Sequence, residues 1–146
     1  MLHHLDLHDA LQAAELLALQ RLAYQQEAEL IGYAQLPPLR ESLPELMDCG
    51  ERVLVWREAG VLLAALGYLH DAQGLDICRL MVAPTAQRRG LGRRLLAELA
   101  KQQRPMRVMT AAANLPAIAL YQQAGFVLRR EIVLPDGLKL VALQHP

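Results

Sequence analysis

Gln87-Arg88-Arg89-Gly90-Leu91-Gly92-Arg93-Arg94-Leu95-Leu96 decides how the rest of the chain reads. An apolar run, Ile77 to Val82, precedes it, and Ala83-Pro84-Thr85 makes a turn. Beyond it, apolar residues recur at Leu91, Leu95, Leu96, Leu99 and Ala100, the spacing of one helix face. The order is strand, glycine-rich turn, helix. The first N–H groups of a helix have no partner inside it, and the helix dipole makes that end positive. Two glycines let a ligand approach the backbone closely, and four arginines flank them. A phosphate-bearing ligand fits such a cradle. The glycine spacing alone describes a plain helix start with a solvated arginine face equally well. No Lys-Ser/Thr follows Gly92, which excludes a Walker loop, and Leu95 stands where a dinucleotide fingerprint needs a third glycine.

The chain around this stretch has 146 residues, enough for one domain with a real core. Lys plus Arg balances Asp plus Glu at 15 each, which argues against a nucleic-acid partner bound through a basic body. No apolar window approaches a bilayer span, since Ile77–Val82 is short and contains Arg79, so no membrane partner is expected. The N-terminal Met1-Leu2-His3-His4-Leu5-Asp6 lacks a basic region followed by an apolar one, so no secretory signal is expected there. Cys49 and Cys78 fit no metal spacing, and the five histidines are dispersed or terminal. The expectation is a cytoplasmic protein with reduced thiols and no metal.

In chain order, Leu2 to Leu7 predicts a short strand. Asp9 is placed as the N-cap of a helix from about Ala10 to Glu27 or Glu29, with Gln12 at the capping-box position. Leu11, Ala14, Leu17, Ala18 and Leu22 are expected to pack on a sheet. Gly32 and Pro37-Pro38 break the pattern. A second helix is expected from Leu39 to Cys49, ended by Gly50, with Pro44 dividing it into two short turns or kinking it. Arg52–Arg57, Val61–Leu69 and Leu75–Val82 predict a three-stranded meander. After the glycine loop and its helix, Met106–Thr110 predicts a strand and Leu115–Ala124 a helix with Pro116 in its first turn. Phe126–Leu134 and Leu138–Leu143 predict a hairpin around Pro135-Asp136-Gly137. No linker or repeat divides residues 1–146, so the reading is a single α+β domain with a mixed sheet.

A second motif lies one strand downstream of the loop: Asn114-Leu115-Pro116-Ala117-Ile118-Ala119-Leu120-Tyr121-Gln122-Gln123-Ala124-Gly125-Phe126. Here the chain resembles the GNAT superfamily of N-acetyltransferases. That family carries Val-x-Pro, then Gln/Arg-x-x-Gly-x-Gly/Ala, matched by Val82-Ala83-Pro84 and Gln87 to Gly92. Its next motif, Asn-x-x-Ala-x-x-Leu-Tyr-x-x-x-Gly-Phe, is matched by Asn114 to Phe126 at each named position. The motif resemblance covers Ile77 to about Phe126; the N-terminal third resembles the family only in element order.

The resemblance implies a GNAT-like fold that binds acetyl-CoA where two parallel strands, Leu75–Val82 and Met106–Thr110, splay apart. The backbone of Leu80, Met81 and Val82 would pair with the pantetheine arm, and one N–H there would polarise the thioester carbonyl. The amides from Arg88 through Arg89, Gly90, Leu91 and Gly92 to Arg93 would hold the pyrophosphate, with Gln87 at the motif's first polar position. Asn114 is either a helix N-cap or a hydrogen-bond partner of the pantetheine, or both. Tyr121 is either a core aromatic or, as in the family, the general acid that protonates the departing thiolate. For the base, Asp76 at the start of the cofactor-side strand is the candidate, with Glu27, Glu29 and His70 as rivals. Cys78 is a weaker nucleophile candidate, with no histidine placed beside it.

On the acceptor side, Glu27, Glu29, Glu41, Glu45, Asp48 and Glu51 face Arg40 alone between Glu27 and Glu51. An acidic rim would draw a cationic amine, while solvated helical faces would give the same charges. Glu27, Glu29 and Tyr33, with Tyr24, are the substrate-binding candidates. The implied reaction is acetyl transfer from acetyl-CoA to a primary amine, on a small molecule or a peptide, by direct attack in a ternary complex. The competing reading is an inactive CoA-binding or sensor domain of the same fold. The terminal hairpin offers a homodimer contact.

Overall fold

The structure, a computed structural model, describes residues 1–146. Its seven strands form one mixed sheet in the order β1-β2-β3-β4-β5-β7-β6. They are β1 (Leu2–Leu5), β2 (Arg52–Glu58), β3 (Val61–Asp71), β4 (Gly74–Val82), β5 (Met106–Ala111), β6 (Val127–Val133) and β7 (Lys139–His145). The helices are α1 (Ala10–Ile31), α2 (Leu43–Met47), α3 (Leu91–Ala100) and α4 (Leu115–Gln123), with single 3₁₀ turns at Pro37–Leu39 and Pro84–Ala86. The α+β class and the meander agree closely with the sequence pattern. No helix is long and apolar enough to cross a membrane.

The β2-β3-β4 meander is antiparallel throughout, and β4 and β5 are the one parallel pair. A parallel pair needs a crossover, and α3 supplies it, packing Leu91, Leu95, Leu96 and Leu99 against the sheet. Burying a leucine side chain contributes roughly 1.5–3 kcal/mol, so those four fix α3, and with it the glycine loop at its N-terminus. Gly74 closes the β3-β4 turn at φ 135°, and a Cβ there would meet the Pro105 carbonyl at 2.3 Å, so only glycine lets the β4 start lie against the end of the crossover.

Two expectations are corrected. Leu11 and Leu22 are 84% and 62% exposed, and the buried face of α1 is Ala13, Leu16, Leu17 and Gln20. An i, i+3, i+4, i+7 stripe through those four continues onto Tyr24 and Glu27, which carries polar groups inward at the C-terminal half of the helix. The Leu39–Cys49 segment forms only the short α2, which Ser42 and Glu45 start with a reciprocal capping box, and the 3₁₀ turn Pro37–Leu39 precedes it. Asp9 caps α1, accepting from Leu11 and Gln12 N–H; the Gln12 side chain reaches past it to the Asp6 N–H.

Candidate active site

A cleft of about 820 Å³ opens where β4 leaves β5. The parallel pairing runs only from Leu75 opposite Met106 to Ile77 opposite Val108. At that point β4 carries a bulge. Gly67 of β3 pairs with Arg79 and Tyr68 with Ile77, leaving Cys78 as the extra residue. A bulge bends its strand and re-aims the residues beyond it. From Cys78 onward β4 has β3 on one side and the cleft on the other.

The backbone groups facing that cleft are fixed by the register. Ala83 N–H donates to the Leu63 carbonyl at 2.8 Å, and Ala65 lies opposite Met81. Antiparallel pairs alternate between exchanging both bonds and exchanging none. Met81 is in phase with Ala83, so it bonds β3. Leu80 and Val82 are out of phase, and their N–H and C=O groups point toward the missing β5 partner.

The glycine loop forms one end of the cleft. Gly90, at φ 76°, is the N-cap of α3 and adds no capping side chain. The first bond into the helix is Arg94 N–H to the Gly90 carbonyl, so the N–H groups from Arg88 to Arg93 have no acceptor in the chain. Arg88 also sits at positive φ, 63°. Gly92 is closed in for a different reason: a Cβ there would press on Leu120 of α4 at 3.1 Å. The four arginines divide. Arg88 and Arg93 line the cleft, Arg93 donating to Gln123 at 2.9 Å. Arg89 turns outward to Glu58 at 2.6 and 2.7 Å, and Arg94 lies over the Trp56 ring at 4.9 Å. Gln87 lines the cleft and pairs its amide with that of Gln26 on α1.

Tyr121 forms the opposite wall. Its ring is 4% exposed and packs against Phe126 with centroids 5.4 Å apart. Its hydroxyl has no hydrogen-bond partner in the chain, yet no side-chain polar atom is sealed away unpartnered, so the hydroxyl reaches the cleft. Burial, with Tyr24 and Glu27 nearby, pushes its pKa well above that of a free phenol. Asn114 caps α4 through its carbonyl oxygen, which accepts from Ala117 N–H at 3.2 Å. Its amide nitrogen donates to Glu27 at 2.8 Å. Partial burial pushes the Glu27 carboxyl up, and that hydrogen bond pulls it part of the way back.

The structure brings Leu80, Met81, Val82, Gln87, Arg88, Gly90, Leu91, Gly92, Arg93, Asn114, Tyr121 and Glu27 into one cleft. It leaves five predicted residues outside the lining, one of them His70, whose ring nitrogen meets the Arg104 guanidinium. Arg89 is held by Glu58. Asp76 projects from the other side of β4, 3.7 Å from Arg107. Glu29 takes a bond from Gln25 on the outer face of α1. Tyr33 donates to Asp136 in the β6-β7 turn at 2.5 Å, joining the two loops that border the cleft without entering it. Cys78 does line the cleft, but burial and the Glu51 and Asp76 carboxylates push its thiol up to about 12, so it holds its proton at neutral pH.

The acidic rim is also redistributed. Arg79, 8% exposed, takes Glu41 and Glu51 at 2.6 Å each and donates to the buried Gln20 at 2.6 Å. Burial lowers the Arg79 pKa and the two carboxylates more than restore it, so it stays charged. Glu45 is bound to the Ser42 N–H. Glu27 is then the only carboxylate that lines the cleft. Nothing local marks Arg79 in the sequence, because its partners lie on α1, before α2 and at the start of β2. The signal for Glu27 and Gln20 is the stripe they share with Leu16.

A strand splay with free peptide groups runs into an unpartnered helix N-terminus and past a tyrosine hydroxyl, a cleft suited to an extended ligand that ends in a phosphate. The model of the Acetyltransferase (GNAT) family matches residues 5–126, and the chain belongs to that family. It is 36% identical over 143 residues to the UPF0157 protein YqkA of Bacillus subtilis (strain 168), a match covering 96% of this chain and 42% of that protein. It is 35% identical over 72 residues to the peptidyl-lysine N-acetyltransferase YiaC of Escherichia coli (strain K12), covering 49% of this chain and 47% of YiaC. The chain thus spans less than half the length of these curated relatives. Among solved structures, the fold matches the ribosomal-protein-S18-alanine N-acetyltransferase of Escherichia coli, at TM-score 0.74 and 19% identity over 100% of this chain and 94% of that one. It also matches the Thermoplasma acidophilum PaiA N-acetyltransferase, solved with coenzyme A, at TM-score 0.77 and 16% identity over 97% and 98%.

Proposed function

We propose that this chain transfers an acetyl group from acetyl-CoA to a primary amine, on a small molecule or a peptide, by direct attack with both reactants bound. The observation that carries the proposal is the continuity of two sets of free backbone donors, those of Leu80 and Val82 and the Arg88–Arg93 amides, along one cleft with Tyr121 on its wall.

The residues present fit the cosubstrate. The Arg88–Arg93 amides and the Arg88 and Arg93 guanidinium groups suit a pyrophosphate, through helix-end and charge-assisted hydrogen bonds. The Leu80–Val82 edge suits the amide-bearing pantetheine arm, as a strand would. When bound, acetyl-CoA supplies an acyl carbon already activated by its thioester. Leu80 N–H stabilises negative charge developing on a carbonyl oxygen held against β4, in a site where water competes little. Glu27 accepts a proton from the incoming amine, whose free pKa is about 10, so that its nitrogen lone pair can form the new bond. A raised Glu27 pKa makes it a better base than an ordinary exposed carboxylate, and Asn114 holds it in place as a positioning residue. Tyr121 gives its proton to the sulfur as the carbon–sulfur bond breaks and regains one from the second proton that the nitrogen sheds on becoming an amide; its raised pKa keeps its own proton in place at neutral pH until then.

Acetyl-CoA binding is read as a rise in Tm and as a calorimetric Kd, and turnover as release of free CoA thiol with an amine panel. Tyr121→Phe is expected to keep Kd within about twofold and to lower kcat by roughly 100-fold or more. Unchanged turnover would remove Tyr121 as the acid, and no Tm shift with acetyl-CoA would overturn the function.

A further inference from the structure

The end of the cleft away from the glycine loop has its own chemistry. Leu30 and Leu36, from the end of α1 and the segment after it, and Pro38 stand on one side. Leu138 and Leu140, from the β6-β7 turn and β7, stand on the other. The Tyr33–Asp136 hydrogen bond ties these two walls together just outside the lining. Among them lies Glu27, the only carboxylate on the cleft surface.

The remaining acidic residues of this region are committed elsewhere. Glu41 and Glu51 are both paired to Arg79 away from the cleft surface, Ser42 N–H holds Glu45, and Glu29 faces out. The three arginines of the lining do not serve an amine either. Arg88 and Arg93 stand at the glycine loop, and Arg79 is spent on its two carboxylates. A ligand entering here meets one anionic point in an apolar wall.

We infer that the acceptor is a primary monoamine carried on an apolar stem, its single cation at Glu27 and its hydrocarbon body against Leu30, Leu36, Leu138 and Leu140. This rests on the acyl-transfer reading and narrows it. A polyamine or an amino sugar brings further cations or hydroxyls, and each would be desolvated against leucine with no partner. Apolar surface discriminates weakly between hydrocarbons but strongly against unpaired polar groups. The inferred acceptor class therefore includes alkylamines, arylalkylamines and amino-acid amides with apolar side chains, and excludes spermidine.

The test uses the whole chain with hexylamine, phenethylamine, leucinamide and spermidine as acceptors, at fixed saturating acetyl-CoA. Calorimetry first measures acetyl-CoA binding without acceptor; its failure overturns the acyl-transfer reading, independently of any acceptor preference. With binding established, at least one apolar monoamine is expected to exceed spermidine in kcat/KM by about tenfold or more. Equal or greater activity on spermidine overturns the inference while leaving the acyl-transfer reading intact. Leu30→Glu supplies a second check. Leu30 is 55% exposed, one turn beyond Glu27 on α1, so an acidic residue fits there without disturbing the core. A second carboxylate at the lip is expected to raise kcat/KM for spermidine severalfold and to lower it for hexylamine, with the acetyl-CoA Kd unchanged. A Leu30→Glu enzyme whose preference stays that of the unsubstituted chain overturns the placement of the acceptor at this end.

Discussion

The two ends of the cleft are made of different material. The glycine-loop end is backbone: peptide groups of Leu80 and Val82 freed by the splay, and amides from Arg88 to Arg93 freed by a helix start. The Glu27 end is side chain: a carboxylate on α1, an amide on α4 and leucines from the terminal hairpin. Backbone groups are released wherever a strand parts or a helix begins, whatever residues surround them. They can serve one constant ligand across many sequences. A side-chain pocket is rebuilt by each substitution, and it sets what the second reactant is.

Arg79 joins the two ends, so its removal is the most severe way to break the comparison. It projects from β4 just after the bulge and holds α1 through Gln20 and the α2 region through Glu41 and Glu51. The Glu51 and Glu41 side chains are 6% and 18% exposed, so Arg79→Met would leave two carboxylates short of water and of counter-charge. Removing one partner of a buried pair costs about 3–5 kcal/mol. Urea unfolding is expected to show a loss of that size, and a change below about 1 kcal/mol would mean that packing alone holds α1 to β4. The network also accounts for Gly67, where a Cβ would meet the Glu51 carboxylate at 2.2 Å.

Gly90→Val attacks the backbone end next. An L residue in the left-handed region costs roughly 1–2 kcal/mol, and a β-branched one is the least suited. No atom stands within 4 Å of a Cβ at this position, so strain and not collision is at issue. Relief of that strain would turn the Arg88–Arg93 amides away from one another. The acetyl-CoA Kd is expected to rise by at least about tenfold, with β-sheet content unchanged by circular dichroism. An unchanged Kd would place the pyrophosphate elsewhere.

The same division explains what could be read from the sequence. The meander, α3, the loop and α4 are each specified within a dozen or so neighbouring residues, through periodicity, glycine and the two motifs. The loop and its helix start could therefore be placed without coordinates. The Glu27 end could not, because Asn114 and Glu27 are 87 residues apart and only the fold pairs them. Helix α1 is ambiguous on its own terms: Leu11, Ala14, Leu17, Ala18 and Leu22 form one apolar face, but Ala13, Leu16 and Leu17 form another, and the helix offers no period to choose between them. The buried face is the one containing Gln20, whose amide is satisfied by Pro38, Glu41 and Arg79. The acidic rim misleads for a related reason. Counting charges by segment cannot reveal a counter-ion that arrives from a strand.

Glu27 sharpens the comparison through pH. Burial sets its folded pKa above the ordinary 4.5 that the unfolded chain retains, with the Asn114 amide offsetting part of the shift. Folded protein therefore keeps a proton that unfolded protein has released. The stability contribution is complete below the unfolded pKa and is lost as pH rises through the folded one. Glu27→Gln cannot ionise and can still accept from Asn114. Its Tm is expected to match the unsubstituted chain near pH 4 and to exceed it modestly at pH 7, while its turnover falls. A Tm advantage that is constant with pH would show that ionisation is not its origin.

The smallest effect is expected at Arg89, and it separates arginines that the loop motif treats alike. Arg89 and Glu58 are 47% and 37% exposed and bond each other on the outer side of the loop. Exposed pairs of this kind contribute about 0–1 kcal/mol. Arg93 faces the cleft from the first turn of α3, where a guanidinium adds to the helix-end charge. Arg93→Ala is expected to raise the acetyl-CoA Kd about five- to tenfold, a charge-assisted bond being worth roughly 1.5–3 kcal/mol before solvent screening reduces it. Arg89→Ala is expected to change that Kd by less than about twofold. Raising the salt concentration should shrink the Arg93 effect and leave the Arg89 effect near zero. Equal losses at both positions would mean that Arg89 leaves Glu58 for the ligand, and the outward ion pair would then belong to the free protein alone.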